Sequence, residues 1–315
     1  MSTSAVAARL HQPGDPLRVE SVALLEPGQD EVLVNLAYAA INPVDRYVAL
    51  GRVAPDSPLP RTLGSEAVGT VDGRPVLVCG HQLGRQRDGL WATAAVVPRG
   101  AVSDLPAGVD LKQAAAIGVV GVTAWTVVTR LAGVTAADRV LVLGASGGVG
   151  STAISLVRSI GAQVWGQTED SKKRAWISAR GASQVVVTDS EHLVEEVRAL
   201  RPTVVLDPLG GQFTAGAITA LEPFGRLIIF GTSAGLRGEI SIQELYRKEL
   251  TVLTYSGLIE PPERFAAGVA GALGALADGR LRISVDSVMP LAEVNEALAR
   301  QANREVLGKL VLDLS

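Results

Sequence analysis

Residues Arg139 to Gly150 read Arg-Val-Leu-Val-Leu-Gly-Ala-Ser-Gly-Gly-Val-Gly, an apolar run that stops at a glycine-rich turn. From Ser151 to Ile160, Ala153, Ile154, Val157 and Ile160 recur at helical spacing, and Gly161 offers a C-cap. Strand, glycine turn and helix in this order predict the opening of a βαβ unit that binds a dinucleotide. Glycines let backbone N–H groups approach a pyrophosphate, and the helix N-terminus faces its charge. The usual G-x-G-x-x-G carries Ala145 at its first glycine, followed by Gly147 and Gly150. Glycines also make plain turns, but the strand before and the helix after supply the context the motif demands.

Downstream, short apolar runs alternate with helical patterns. Strands are predicted at 163–166, 184–187, 203–207, 226–230 and 250–255, with helices between them. Such alternation predicts an α/β fold with a doubly wound parallel sheet. The first 110 or so residues differ. Short strands at 21–28, 31–36, 64–71 and 75–78 lie between turn residues. Gln113 to Arg130 is small and apolar, as at a domain junction. The tail, with an amphipathic helix near Phe265 to Ala277 and a strand at Lys309 to Leu312, is too short for a domain of its own. The expected division is therefore a β-rich domain over 1–116, a Rossmann domain over 117–257, and a return to the first domain over 258–315.

A net charge of −3 without long charged runs points away from nucleic acid and membrane surfaces as partners. The single cysteine, Cys79, excludes an internal disulfide and a four-thiolate zinc site. No apolar run approaches membrane-spanning length, and the N-terminus lacks a signal-peptide pattern, so a cytoplasmic protein is expected.

Ala40-Ile41-Asn42-Pro43-Val44-Asp45, Pro60 to Glu66, Ala114-Ala115-Ala116 leading to Gly121-Val122-Thr123-Ala124, Gly144 to Gly150, Gly181-Ala182, and Gly308 to Leu312 form an ordered set of motifs. Together they resemble the zinc-independent medium-chain dehydrogenase/reductases of the quinone oxidoreductase type. The resemblance covers nearly the whole chain. It implies a GroES-like β-rich catalytic domain, a Rossmann domain, and a nicotinamide coenzyme in the cleft between them. Two stretches depart from the pattern: 69–76 is shortened, and the loop from Gly80 to Trp91 is unusual. That region walls the substrate cleft in relatives.

Zinc-dependent relatives hold a metal through two cysteines and a Gly-His-Glu histidine. The corresponding early positions here read Asn42 and Ser65, and no cysteine follows Cys79. His11, His81 and His192 are scattered, so no metal is expected.

The resemblance places the coenzyme-selecting position at the end of the second strand at Thr168, where an NAD site usually has an acid. Lys173 falls where NADPH-using relatives carry a lysine for the 2′-phosphate. Glu169 and Asp170 would repel that phosphate unless they point away, and Thr188 stands where a helping tyrosine is common. NADPH is the expected coenzyme. The resemblance also assigns Asn42, Thr123, Ser146, Gly147, Gly148, Val149, Gly150, Gly166, Asp207, Leu209, Phe230, Gly231, Thr232 and Ser233 to coenzyme binding. Tyr47 and Asn42 are the candidate catalytic donors on the nicotinamide-facing loop. Tyr47 could equally be a packing residue, and Asp45 could serve only its turn.

No Ser-His-Asp or paired-carboxylate constellation stands out, which agrees with hydride transfer. The leading expectation is an NADPH-dependent reductase of quinones or of alkenes conjugated to a carbonyl. A zinc-free carbonyl reductase or alcohol dehydrogenase, and a non-catalytic NADPH-binding protein, are the alternatives. An apolar edge strand at Leu250 to Tyr255 suggests a homodimer.

Overall fold

A computed structural model describes residues 4–315 of the protein. The chain divides into two units, 1–120 with 283–315, and 121–282.

In the second unit, six parallel strands take the spatial order Gln184–Val187, Gln163–Thr168, Arg139–Val142, Val204–Asp207, Arg226–Ile229 and Thr251–Thr254. This is the 3-2-1-4-5-6 order of a Rossmann sheet, with its switch point between the first and fourth strands. Alternate residues go to opposite faces. Val140 and Val142 pack with Ile154 and Val157 of the helix Gly148–Ile160, while Leu141 and Leu143 pack with Phe213 and Ile218. Burial on both faces explains why the strands read as continuous apolar runs. The helix after the glycine turn ends at Gly161, in the left-handed conformation at φ +90°, as the sequence predicts.

The unit does not end where the sequence suggests. The helix Pro262–Ala277 stays with it, and the chain returns to the first unit at Ile283, not at 258. The reason is packing by small residues. A Cβ added at Gly268 would lie 2.9 Å from Val122 Cγ1, and one at Gly271 would lie 2.3 Å from the Trp125 ring. Glycine spacing therefore seats this helix on Val122–Trp125. Arg130 and Glu260 close the same corner with a 2.6 Å ion pair.

The first unit is built on antiparallel sheet. Its longest strand, Glu31–Ala40, pairs with Glu66–Val71, Ala94–Pro98 and the C-terminal Lys309–Asp313. The shortened 69–76 stretch is a tight hairpin between Glu66–Val71 and Arg74–Cys79. Asp72 and Gly73 both take positive φ, +50° and +76°, as a two-residue type I′ turn requires. Lys309 lies on the last strand with its side chain fully enclosed. Among the described residues no helix is long and apolar enough to cross a membrane.

Candidate functional site

The second unit assembles a cradle at the carboxyl ends of its strands. Gly147 caps the helix Gly148–Ile160, whose first N–H groups have no helical partner. A Cβ at Gly150 would lie 2.5 Å from the Gly144 carbonyl oxygen and 2.9 Å from Ala145 Cα, so only glycine lets the helix start this close to the turn. Gly166 acts differently from expectation. It is buried, and a Cβ there would meet Ala145 Cβ and Ile177 Cγ2, each at 2.7 Å. It supports the turn from behind instead of facing a ligand. Ser146, Gly147, Gly148 and Val149 are half-exposed on the open side.

The turn has a brace that sequence reasoning missed. Gln167 is 1% exposed. Its Oε1 accepts from Gly144 N at 3.1 Å, its backbone oxygen accepts from Ala145 N at 2.9 Å, and its Nε2 donates to the Thr188 carbonyl at 2.6 Å. One glutamine thus fixes the glycine turn to two neighbouring strands.

Leu209 covers the turn from the fourth strand, and its Cδ2 would be 3.2 Å from a Cβ on Gly144. Asp207, expected to touch the coenzyme, is fully buried and engaged elsewhere. Its Oδ1 accepts from Leu209 N at 2.8 Å and Gly210 N at 3.0 Å, and its Oδ2 accepts from Thr214 Oγ1 at 2.5 Å. With both oxygens satisfied internally it shapes the 208–210 turn. The next loop rests on that turn: Phe230 N donates to Asp207 O at 2.9 Å, and Ser233 Oγ donates to Pro208 O at 3.1 Å. Phe230 and Gly231 are half-buried, while Thr232 and Ser233 are exposed. Thr123, half-buried, lies in a helical segment that packs beside the helix of the glycine turn.

Past the second strand, Thr168 is buried and its Oγ1 accepts from Asp170 N at 3.3 Å. The Asp170 carboxylate accepts from Lys172 N at 2.9 Å, so it caps the Ser171–Lys173 turn. Lys173, half-buried, closes that turn.

The first unit holds a buried polar cluster at the expected catalytic loop. Asn42 caps the helix Pro43–Ala49, and Asp45 Oδ2 accepts its backbone N–H at 2.8 Å. The Asn42 amide is engaged at both ends. Nδ2 donates to Glu66 Oε1 at 2.7 Å, and Oδ1 accepts from Lys309 Nζ at 2.6 Å. Lys309 also donates to the Ile41 carbonyl, and Glu66 Oε2 accepts from Val119 N at 2.9 Å. Ser65 Oγ donates to Asp45 Oδ1 at 2.5 Å. Asn42 is 0% exposed, so its expected role as a donor to substrate or coenzyme is replaced by a structural one: it joins a carboxylate to an ammonium. Burial pushes the Glu66 carboxyl up to about 7 despite the pull of Lys309. Burial also raises Asp45 and lowers Lys309. Tyr47 is half-buried beneath the Arg46 guanidinium, 5.1 Å from its ring centroid, and its hydroxyl bonds to no described residue.

Two family models match the chain. One, described as alcohol dehydrogenase GroES-like domain, covers residues 28–107, and the other, described as zinc-binding dehydrogenase, covers 148–270. A quinone oxidoreductase of Pseudomonas aeruginosa is 27% identical over 91% of this chain and 92% of its own. The crystal structure of AibC superimposes with a TM-score of 0.89 at 26% identity, covering 98% of this chain and 96% of that one. A structure described as an NAD-dependent alcohol dehydrogenase gives 0.87 at 28% identity, covering 98% and 100%. The chain belongs to the medium-chain dehydrogenase/reductase superfamily. A mycocerosic acid synthase-like polyketide synthase of Mycolicibacterium smegmatis is also similar, 27% identical over 97% of this chain. This dehydrogenase/reductase chain spans only 15% of that protein's length.

Within the superfamily the first unit's donor set does not fit zinc. Zinc takes thiolate, imidazole or carboxylate ligands. The Asn42 amide is held by Glu66 and Lys309, and the Ser65 hydroxyl by Asp45. The enclosed Lys309 ammonium would repel a dication. Among the described residues no group of three His, Cys, Asp or Glu is placed to hold a metal. The cradle of the second unit, in contrast, fits a dinucleotide, because its backbone donors are open and its glycines leave no side chain in the way.

Proposed function

We propose that this chain is a metal-independent, NADPH-dependent reductase of quinones or of alkenes conjugated to a carbonyl. The observation that carries this reading is the Glu66–Asn42–Lys309 chain. It replaces a Lewis-acid site with a closed, internally neutralised cluster. Acceptors that spread charge over a conjugated system need least from such a site. The likeness to the Pseudomonas aeruginosa quinone oxidoreductase supports the same reading.

When bound, the reduced nicotinamide supplies the hydride. The protein's part is to bind and orient. Backbone N–H groups of residues 146–149 would hold the pyrophosphate at the helix N-terminus. Lys173 would take the 2′-phosphate, where no acid stands at Thr168 to hold a 2′-hydroxyl. Leu209, Thr123 and residues 230–233 would line the nicotinamide half. Tyr47 is the donor on the catalytic loop for the acceptor oxygen. The enzyme would act as a cytoplasmic homodimer joined at the edge strand Thr251–Thr254. Around that strand Tyr246, 80% exposed, and Ile259, 84% exposed, leave an apolar surface to cover.

The test is NADPH oxidation with 1,4-benzoquinone, with an enone and with an aldehyde. Turnover of the first two alone is expected. Turnover of the aldehyde alone would identify a carbonyl reductase, and coenzyme binding without any turnover would identify a non-catalytic binder.

A further inference from the structure

The strand pairing of the first unit encloses a charge that has no bonded partner. Arg61 opens the two-residue strand Arg61–Thr62, which pairs antiparallel with Ser4–Leu10 and sets Arg61 opposite Leu10. Opposed residues of such a pair share a face, and Leu10 belongs to the core. The pairing therefore turns Arg61 inward, and the residue is 4% exposed. Its surroundings are fixed by three bonds. Arg9 Nη2 donates to Pro60 O at 2.5 Å, Thr62 N to Asp88 Oδ1 at 2.8 Å, and Gly89 N to Thr62 O at 2.8 Å.

Inside this frame Arg61 Nε and Nη1 are both enclosed, and neither has a hydrogen-bond partner among the described residues. Asp88, bonded to the next residue, is exposed and spends Oδ1 on Thr62 N. Burial lowers the guanidinium's affinity for its proton, and Asp88 offsets this only in part. An arginine keeps its proton in a protein, so the charge stays and calls for a counter-charge. Room for one lies along the same two segments. A pocket of about 310 Å³ is lined by Ala54, Pro55, Asp56, Ser57, Pro58 and Gln86. Pro58 stands three residues before Arg61, and Gln86 two before Asp88. The planar fork of a guanidinium matches the two oxygens of a carboxylate. Asp56 in the wall and Asp88 at Thr62 would repel a second negative charge, so a single carboxylate on a small apolar body suits the site best.

We propose that Arg61 anchors a binding site for a small monocarboxylate. The ligand's two oxygens take the guanidinium donors, and its apolar end rests on the 54–58 wall. Opposite charges and a fork of hydrogen bonds hold it, and no covalent bond forms or breaks. The site lies wholly in the first unit, so it requires neither the glycine turn nor a hydride acceptor. Arg61 is four residues ahead of Ser65 and five ahead of Glu66, so an occupied site steadies the segment that carries the buried cluster.

The probe is sodium acetate, titrated at pH 7 against the full chain and followed by the line width of its methyl proton resonance. Acetamide, of the same shape and neutral, is the control. Wild type is expected to bind acetate saturably and acetamide not at all. Arg61→Gln should weaken acetate about ten- to a hundredfold. Arg61→Lys, which keeps the charge and loses the fork, should fall between the two. Urea unfolding guards against a folding defect. Without acetate, Arg61→Gln should be at least as stable as wild type, because it removes an enclosed charge that lacks a partner. Acetate should stabilise wild type beyond an equal concentration of chloride, and Arg61→Gln should show no such gain. Equal acetate binding by wild type and Arg61→Gln, or none by either, would overturn the site and leave water as the partner of Arg61. Tighter binding of inorganic phosphate than of acetate, lost in Arg61→Gln, would overturn the monocarboxylate and mark a dianion site.

Discussion

Lys309 Nζ donates to the Asn42 amide oxygen at 2.6 Å, across 267 residues of chain. The contact ties the C-terminal strand to the loop before the helix Pro43–Ala49. The other end of the amide holds Glu66, so a single side chain stands between a buried cation and a buried anion. Removing one charge of such a set leaves the other uncompensated.

Lys309→Met is therefore expected to destabilise the protein by about 3–5 kcal/mol, the usual cost of breaking a buried pair from one side. The double variant Lys309→Met, Glu66→Leu should recover part of that loss. Urea unfolding of both variants measures it. A single variant as stable as wild type would show that the cluster is not a charge pair.

Stability should fall as pH rises from about 4.5 to about 7. Burial raises Glu66 from 4.5 to about 7, so the folded chain holds a proton that the unfolded chain has lost in this window. The slope contributed by Glu66 approaches about 1.4 kcal/mol per pH unit. The contribution is fully present below 4.5 and lost above 7. Asp45, also raised, acts with the same sign. Lys309, lowered by burial, acts oppositely in its own window, between its depressed value and 10.5. Glu66→Gln should flatten the acidic slope in urea titrations. An unchanged slope in that variant would place the titration elsewhere.

Two glycine substitutions separate cradle from scaffold. Gly150→Ala puts a Cβ against the Gly144 backbone at 2.5 Å, which forces the turn apart. It should cost about 1–3 kcal/mol and at least tenfold in coenzyme affinity. Gly274→Ala, in the helix Pro262–Ala277, meets nothing within 4 Å. It should stabilise by about 0.5–1 kcal/mol and leave coenzyme binding unchanged. Calorimetry and coenzyme titration report both effects, and equal coenzyme binding by Gly150→Ala and wild type would contradict the cradle.

Some of this was readable from the chain alone. The glycine turn, its helix and the Gly161 cap rest on local periodicity and backbone need, so the sequence shows them directly. The return point at Ile283 was not readable, because Gly268 and Gly271 gain meaning only against Val122 and Trp125. The sequence pattern assigns Asn42 and Asp207 to ligand contact, but both side chains are buried and bonded internally. Sequence position sets the loop and does not say which donors reach a carboxylate. Gln167 gave no signal, since one polar residue in a strand looks like any other until its partners are known.

Lys173→Ala should weaken NADPH about ten- to a hundredfold and leave NADH nearly unchanged, as expected for one charge-assisted phosphate contact. Fluorescence titration with both coenzymes distinguishes this from a structural role, which would weaken both equally.

The most direct measurement is single-turnover NADPH oxidation by 1,4-benzoquinone on protein dialysed against a chelator, with zinc determined on the same sample. The expected result is an unchanged rate with far less than one zinc per chain. Stoichiometric zinc in the untreated protein, with the rate lost on its removal and restored by adding it back, would contradict the account.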